Sequence, residues 1–354
     1  MRTISPSNLP QSRFFDVLSQ LDNDAPLIAL GNCFPWYELE RAFSDLYSHK
    51  GRGSKPIRLM CGLLILKQLY NLSDESVVSQ WKQNPYYQVF CGETSFQNTL
   101  PCHSTELVKF RQRLGKAGIE KLLSLSVALH GDASEEATVL VDTTVQEKAI
   151  TYPTDSKLAI KSINRLNKLA KSEGVKQRRT FVKEVNLRLA CRHFRHVKRP
   201  QDKNKIYSLH ESDIYCVGKG KDHKMYEYGR KASVVSTADS QVIVGAESHD
   251  EHIHDSKTLS SALASANGNR KTAIELAVVI EPLIGHLKHD FRLQRNWLNG
   301  SEGDAINLLM ASCAWNLRKW MVAFFLFEKN GVLWLFCAIV STKDGSTAAW
   351  VPIR

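Results

Sequence analysis

The sequence predicts a mixed protein of the α+β or α/β class, with a helical N-terminal domain followed by a region of strands and helices. From Trp36 to His130, apolar residues recur at spacings of three and four between clear helix breakers. The Val- and Thr-rich run ATVLVDTTV then predicts a buried strand. Further strand-like and helical segments alternate after residue 206. A chain of 354 residues with 43% hydrophobic residues can bury a large core.

Three helices of the N-terminal region have clear sequence signals. The segment from Arg58 to Tyr70 is apolar on nearly every side, so we predict that it is the central helix. Ser73 is predicted to cap the next helix, which Asn84 ends. Ser104 is predicted to cap a further, basic helix.

The second region begins with the strand around Asp142. A helix from about residue 155 is expected to place Leu158, Ile163, Leu166 and Leu169 mostly on one side. SVVST and QVIVGA are predicted to form antiparallel strands, joined by a turn at residues 238–239, with a helix following over 256–266. Thr272 and Glu275 match a capping box, which predicts a helical unit running on through IEPLIGHLK, and an apolar helix is expected over NLLMASCAWNLRKWM.

The formal charge of +11 favours polyanionic partners, and the excess lies in one segment. Residues 157–206 hold sixteen Lys and Arg against three acids, which favours a phosphate-contacting surface over a merely solvated helix. The residues expected to contact DNA there are Lys157, Lys161, Arg165, Lys168, Lys171, Arg178 and Arg179.

The cysteine spacing, the N-terminus and two apolar runs bear on the compartment of the protein and on membrane insertion. The eight cysteines are dispersed, which predicts reduced thiols, and the N-terminus lacks a secretory apolar stretch. Two apolar runs, 320–327 and 332–340, are separated by Glu328, Lys329, Asn330 and Gly331. Neither is long enough to span a bilayer. We therefore expect a cytoplasmic, nucleoid-associated protein without a membrane anchor.

Two carboxylates stand out chemically. Asp142 lies in the middle of an apolar strand, so it needs either a basic partner or a metal ion to remain charged. Glu281 is expected on a helix with Lys288 two turns later on nearly the same face, which would place a carboxylate beside a phosphate-binding cation. Pro282 and the upstream capping box indicate two helix starts close together, and a single kinked helix is the alternative.

An ordered series of motifs resembles the DDE-type transposases of the bacterial insertion-sequence-five family. CFPWYELERAFSDLYS, GRGSKPIRLMCGLLILKQLYNLSDESVV and LPCHSTELVKFRQRLG are similar to the family's helical N-terminal domain. VDTTVQEKAITYPTDSKL resembles its first catalytic strand, GKGKDHKMYEYGRKASV its next strand pair, and IEPLIGHLKHDFRLQRNWLNGSEGDAINLLMASCAWNLRK its closing catalytic helix.

This resemblance implies a ribonuclease H-like core in which three carboxylates hold two Mg²⁺ ions for phosphodiester cleavage and strand transfer. Asp142 matches the first carboxylate, Glu281 the last, and Lys288 the lysine that contacts DNA. It also implies double-stranded DNA partners, namely the terminal inverted repeats of its own element and target DNA, bound by a homo-oligomer.

The chain departs from the family pattern at three places. Ile274 and Ala277 stand where the family has a tyrosine and an arginine. No middle catalytic aspartate is identified, and an internal deletion near residues 267–271 is inferred, with too little chain left for the strand that normally precedes that aspartate. Asp250 and Asp255 are the nearest substitutes, although a solvated acidic loop is the favoured interpretation. The neighbouring His249, His252 and His254 could bind a metal only adventitiously.

These observations divide the chain into an extension (1–23), a helical domain for DNA binding or multimerisation (24–130), a core (131–320) with a basic helical insertion (155–206), and a hydrophobic tail (321–354). Two functions remain open. One is a transposase impaired by loss of the middle aspartate. The other is a catalytically dead remnant that only binds DNA.

Overall fold

The computed structural model of the protein describes residues 20–47, 53–150, 153, 155–183, 185, 206–211, 213–221, 224–251, 253–279 and 283–329. Six helices form its N-terminal part: α1 (Pro26–Cys33), α2 (Trp36–Phe43), α3 (Ile57–Leu69), α4 (Asp74–Gln83), α5 (Pro85–Phe90) and α6 (Ser104–Ala128). Short 3-10 turns lie at Ser44–Leu46 and Gly131–Ser134.

The helix signals of this region are largely confirmed. α3 is buried on nearly every side, as its uniform apolar composition predicts. Ser73 caps α4, since its Oγ accepts a hydrogen bond from the Ser76 backbone N–H at 3.0 Å. The predicted cap of α6 is wrong by one residue. His103 is the N-cap, and its side chain and that of Glu106 form a capping box.

The second part is built on one six-stranded sheet. Its strands are β1 (Thr138–Lys148), β2 (Tyr215–Lys221), β3 (Lys224–Thr237), β4 (Ile243–His249), β5 (Leu276–Val279) and β6 (Arg295–Asn296). β1 pairs antiparallel with β3 and parallel with both β5 and β6, while β3 also pairs antiparallel with β2 and β4. The predicted turn after SVVST is confirmed. The mixed α/β class is confirmed as well.

Helices surround this sheet: α7 (Asp155–Ser172) follows β1, α8 (Asp255–Asn267) connects β4 to β5, and α9 (Ile284–Asp290) and α10 (Gly300–Lys329) close the described chain. α8 packs closely on β4. A Cβ atom added at Gly245 would lie 2.6 Å from the Ala266 backbone nitrogen, so only glycine permits this approach.

The helical unit expected from Thr272 through Lys288 is wrong in its first part and confirmed in its last part, where Ile284–Asp290 form α9. Residues Leu276–Val279 instead form β5, with Val279 opposite Val141 of β1. Thr272 does not begin a helix, and its Oγ1 instead donates to the Glu135 carboxylate at 2.6 Å. The expectation of too little chain for a strand after α8 is therefore also wrong. Apolar segments of this length suit a helix or a strand, and here pairing with β1 determines the outcome.

The apolar helix expected around residues 307–321 is confirmed as the central part of α10. It packs against α6, α3 and β4, and thereby joins the helical part to the sheet. Asn316 fixes this contact, because its side chain accepts from the Ile243 N–H at 2.8 Å and donates to the Ile243 carbonyl at 2.9 Å. Residues 330–354, most of the predicted tail, lie outside the described residues.

Candidate functional site

Asp142 occupies the middle of the central strand β1, as predicted. β3 flanks it on one side, with Val234 directly opposite Asp142, and β5 pairs with the preceding residues on the other side. The side chain is 6% exposed. Because alternate residues of a strand share a face, Asp142 belongs to the same face as Thr144, Gln146 and Lys148, all of which are buried. The central strand therefore carries one buried polar face.

Lys148 ends this face in a buried ionic network, which the sequence did not predict. Its Nζ lies 2.9 Å from Asp304 and 3.4 Å from Glu211. Arg230 of β3 reaches the same Asp304 through its Nε at 3.3 Å. The Lys148 and Asp304 side chains are 2% and 0% exposed. The network thus ties β1 and β3 to the first turns of α10.

Burial raises the pKa of Asp304, although Lys148, Asn296 and Arg230 oppose that effect. Its carboxylate accepts a hydrogen bond of 2.6 Å from the Asn296 side-chain amide. Lys148 also donates to the carbonyls of Leu298 and Gly300. Such a network is costly to interrupt because each remaining charge would stay out of water.

Gln146 lies between Asp142 and Lys148 on the polar face. Its side chain is 0% exposed, and neither amide atom has a hydrogen-bond partner among the described residues. Arg230 is the cross-strand neighbour of Gln146, but its ionic contacts are with Asp213, Asp250 and Asp304. The amide therefore weakens the fold at this point.

The second predicted carboxylate, Glu281, lies outside the described residues. β5 ends two residues before it in the sequence, and the helix that carries Lys288 begins only at Ile284. Lys288 itself lies 3.7 Å from the Glu227 carboxylate of β3, and the two side chains are 22% and 11% exposed. The structure thus brings Lys288 to the sheet and places an acidic side chain beside it.

The basic segment is only partly described. Lys157, Arg165, Lys168 and Lys171 of α7 are exposed, Lys161 is half-buried, and Arg178 and Arg179 are exposed beyond the helix. Arg165 donates to the Leu209 carbonyl at 3.3 Å. The remaining basic residues of this segment, after residue 185, fall among residues that are not described.

The expected apolar side of α7 is correct only near its start. Ile160 is buried, and Leu158 and Ile163 are half-buried, but Leu166 and Leu169 are 61% and 56% exposed. The second half of the helix therefore leaves the core. Its exposed lysines accompany exposed leucines, so this half forms a basic projection with little packing of its own.

The substitute residues considered for a metal site have other contacts. Asp250 pairs with Arg230. His249 is buried, with its Nε2 2.8 Å from the Ser233 Oγ. The Asp255 side chain and His252 are not described. No group of three His, Cys, Asp or Glu side chains in the described part of the chain could hold a metal ion.

The ionic network was missed because its members are far apart in sequence. Arg230 and Asp304 are separated by more than seventy residues, and pairing across such distances leaves no local pattern. The available signal was the presence of Lys148 and Arg230 within otherwise strand-like segments. Charged residues at such positions indicate buried partners.

Within the described residues, no helix is long and apolar enough to cross a membrane.

Comparison with known proteins identifies the N-terminal part. Residues 15–113 match the family model described as "Transposase domain (DUF772)". The chain is also 40% identical over 189 residues to a protein described as "Uncharacterized protein ORF8 in nfe locus" from Rhizobium meliloti. That match covers 52% of this chain and 91% of the relative. No solved structure matches. The chain belongs to the same family as the Rhizobium protein, a transposase-related family.

Proposed function

We propose that the chain is a DDE-type transposase of the insertion-sequence-five family, with strand transfer impaired by an incomplete carboxylate set. The observation that carries this proposal is the position of Asp142 in the sheet. Three antiparallel strands, in the order β4-β3-β1, are followed by β5 parallel to β1, and α8 makes the connection from β4 to β5. The family resemblance implies a ribonuclease H-like core, with its first carboxylate on the strand equivalent to β1.

The fit of a magnesium site is only partial. Asp142 supplies a buried carboxylate, and Glu281 follows β5, the parallel neighbour of β1, by two residues in sequence. We propose that these two residues would hold Mg²⁺. When bound, paired Mg²⁺ ions activate a water or 3′-hydroxyl and stabilise the leaving oxygen. Asp250 is a poor substitute for the middle aspartate because it pairs with Arg230.

DNA is the partner implied by the transposase domain. We place the non-specific phosphate contacts on the exposed cations of α7 and on Arg178 and Arg179. Phosphate neutralisation by surface Lys and Arg releases counterions and makes affinity depend on salt. Terminal inverted repeats and target DNA are the proposed sequences, and holding two ends together would require a homo-oligomer.

The second candidate function is a remnant that binds DNA without cutting it. One observation favours it: Asp250, the nearest described substitute for the middle aspartate, is paired with Arg230. Both candidates predict DNA binding by the same basic projection. They differ only in whether Mg²⁺-dependent cleavage occurs.

A gel-shift salt titration tests the shared part of the proposal. The variant Lys168→Gln/Lys171→Gln removes two exposed cations of α7, while Lys121→Gln/Lys271→Gln removes two surface lysines elsewhere. If both α7 lysines contact phosphate, the slope of log affinity against log salt should fall by about 1.8 in the first variant. The control should keep the wild-type slope. Equal slopes in all three proteins would refute the assignment of DNA contacts to α7.

A further inference from the structure

An open groove lies between the helical part and α10. It has a volume of about 570 Å³, within the range of small-ligand sites (about 300–1,000 Å³). One wall consists of tyrosines at the end of α3 and on α5, and the other consists of Arg318, Met321 and Val322 of α10. The groove thus lies between the transposase domain and α10.

The tyrosine wall presents aromatic faces in a fixed arrangement. Tyr70 and Tyr87 lie with ring centroids 5.2 Å apart, and Tyr70 is 41% exposed. Asn84 caps α5 by accepting hydrogen bonds from the backbone N–H groups of Tyr86 and Tyr87, which fixes both residues at the helix start. Tyr70 therefore offers an exposed ring supported from behind by Tyr87.

The opposite wall carries positive charge. Arg318 is 53% exposed, and its closest carboxylate, Asp290, is 4.0 Å away and shared with His286 and His289. Tyr70 and Arg318 both line the groove, one on each wall. A guanidinium suits phosphate, and an exposed tyrosine ring suits a nucleobase.

We propose that this groove binds an unpaired nucleotide of DNA, with its base stacked on Tyr70 and its phosphate paired with Arg318. The proposal rests on the proposed function, since it specifies how a DNA-binding transposase would hold an unpaired strand. A purely apolar occupant is a poorer match, because it would offer the half-exposed Arg318 guanidinium of the groove wall no partner for its charge. A duplex is also a poorer match, since its bases present no free face for stacking.

The test compares a blunt duplex with the same duplex extended by a short unpaired adenine stretch. Wild-type protein should bind the extended DNA about tenfold more tightly, since one stacked base gives an effect of that order. Tyr70→Leu and Arg318→Gln should lose this preference and keep the affinity for the blunt duplex. Tyr37→Leu and Arg41→Gln, at exposed positions outside the groove, are the matched controls and should keep the preference.

A second measurement separates this inference from the proposed function. A single strand containing 2-aminopurine should lose fluorescence on binding wild-type protein through stacking, and Tyr70→Leu should abolish that loss. Equal binding of blunt and extended DNA, without fluorescence loss, would overturn the inference while duplex binding still supported the proposed function. If the protein bound no duplex but still reduced the 2-aminopurine fluorescence, that result would support the inference and contradict the proposed function. A changed oligomeric state in Tyr70→Leu would identify the groove as an interface between copies and overturn the inference.

Discussion

The replacement Lys148→Met should be the most destabilising single change in the ionic network. Lys148 is 2% exposed and contacts the carboxylates of Asp304 and Glu211, which are 0% and 8% exposed. Without Lys148, the described residues leave Arg230 as the cation for Asp304 and the hydrogen bonds from the Gly300 N–H for Glu211. Asp304 would then keep one cation, and the buried Glu211 carboxylate would lose the cation it contacts in wild type.

The contacts indicate which of two substitutions costs more unfolding free energy. Removing one partner of a buried ion pair costs about 3–5 kcal/mol, so we expect about 4 kcal/mol for Lys148→Met. Asp304→Asn should cost less, about 2 kcal/mol, because both cations keep other partners. Lys148 retains Glu211 at 3.4 Å. Arg230 retains Asp213 and Asp250, whose side chains are 73% and 72% exposed.

Urea unfolding followed by circular dichroism measures these differences. Lys121→Met is the matched control, since Lys121 forms a surface pair with Glu38 at 3.0 Å and should cost less than about 1 kcal/mol. The double variant Lys148→Met/Asp304→Asn should be less destabilised than the sum of its single changes. A cost for Lys148→Met no greater than that for Asp304→Asn would refute the reasoning.

Three further changes test the fold around the site. Gln146→Leu should raise the unfolding free energy by about 1 kcal/mol, because it removes a buried amide without a described partner; a loss of stability in urea would contradict this. Gly229→Ala should separate β1 from β3, since a Cβ there would meet the Gln146 carbonyl, and an unchanged thermal midpoint would contradict the close approach. Burial raises the pKa of Glu136, but hydrogen bonds from Ser240 and Asp239 outweigh that effect and hold the pKa below 4.5. Its contribution to stability is therefore present above pH 4.5 and lost as the pH falls through the lowered pKa, so acid titration of Glu136→Gln should show a smaller loss than wild type.

Local sequence patterns predicted the helices and strands whose structure depends least on distant parts of the chain. The uniform apolar surface of α3, the Ser73 cap and the Val- and Thr-rich run of β1 each depend on residues within one segment. Residues Leu276–Val279 show the limit of such patterns. Their apolar run suits either type of element, and a parallel neighbour far away in the chain makes it a strand.

At the candidate site too, the sequence predicted features of single segments but not the contacts between distant segments. Asp142 could be found because a single acid interrupts an aliphatic strand. The cation that ends its polar face, Lys148, could be seen, but its pairing with Asp304 could not, because α10 must first pack on the sheet. The basic projection was visible in composition alone. The exposure of Leu166 and Leu169 could not be predicted, since helical periodicity does not show where a core ends.

The most direct test uses DNA taken from the flanks of the gene, labelled and incubated with the full chain and Mg²⁺. The bound and cleaved fractions are measured together, with Asp142→Asn as the reference for background cleavage. We predict that wild-type protein binds this DNA at low salt and cleaves it no more than marginally above that reference. Efficient Mg²⁺-dependent cleavage that Asp142→Asn abolishes would contradict the proposed impairment, and absence of binding would contradict the transposase proposal itself.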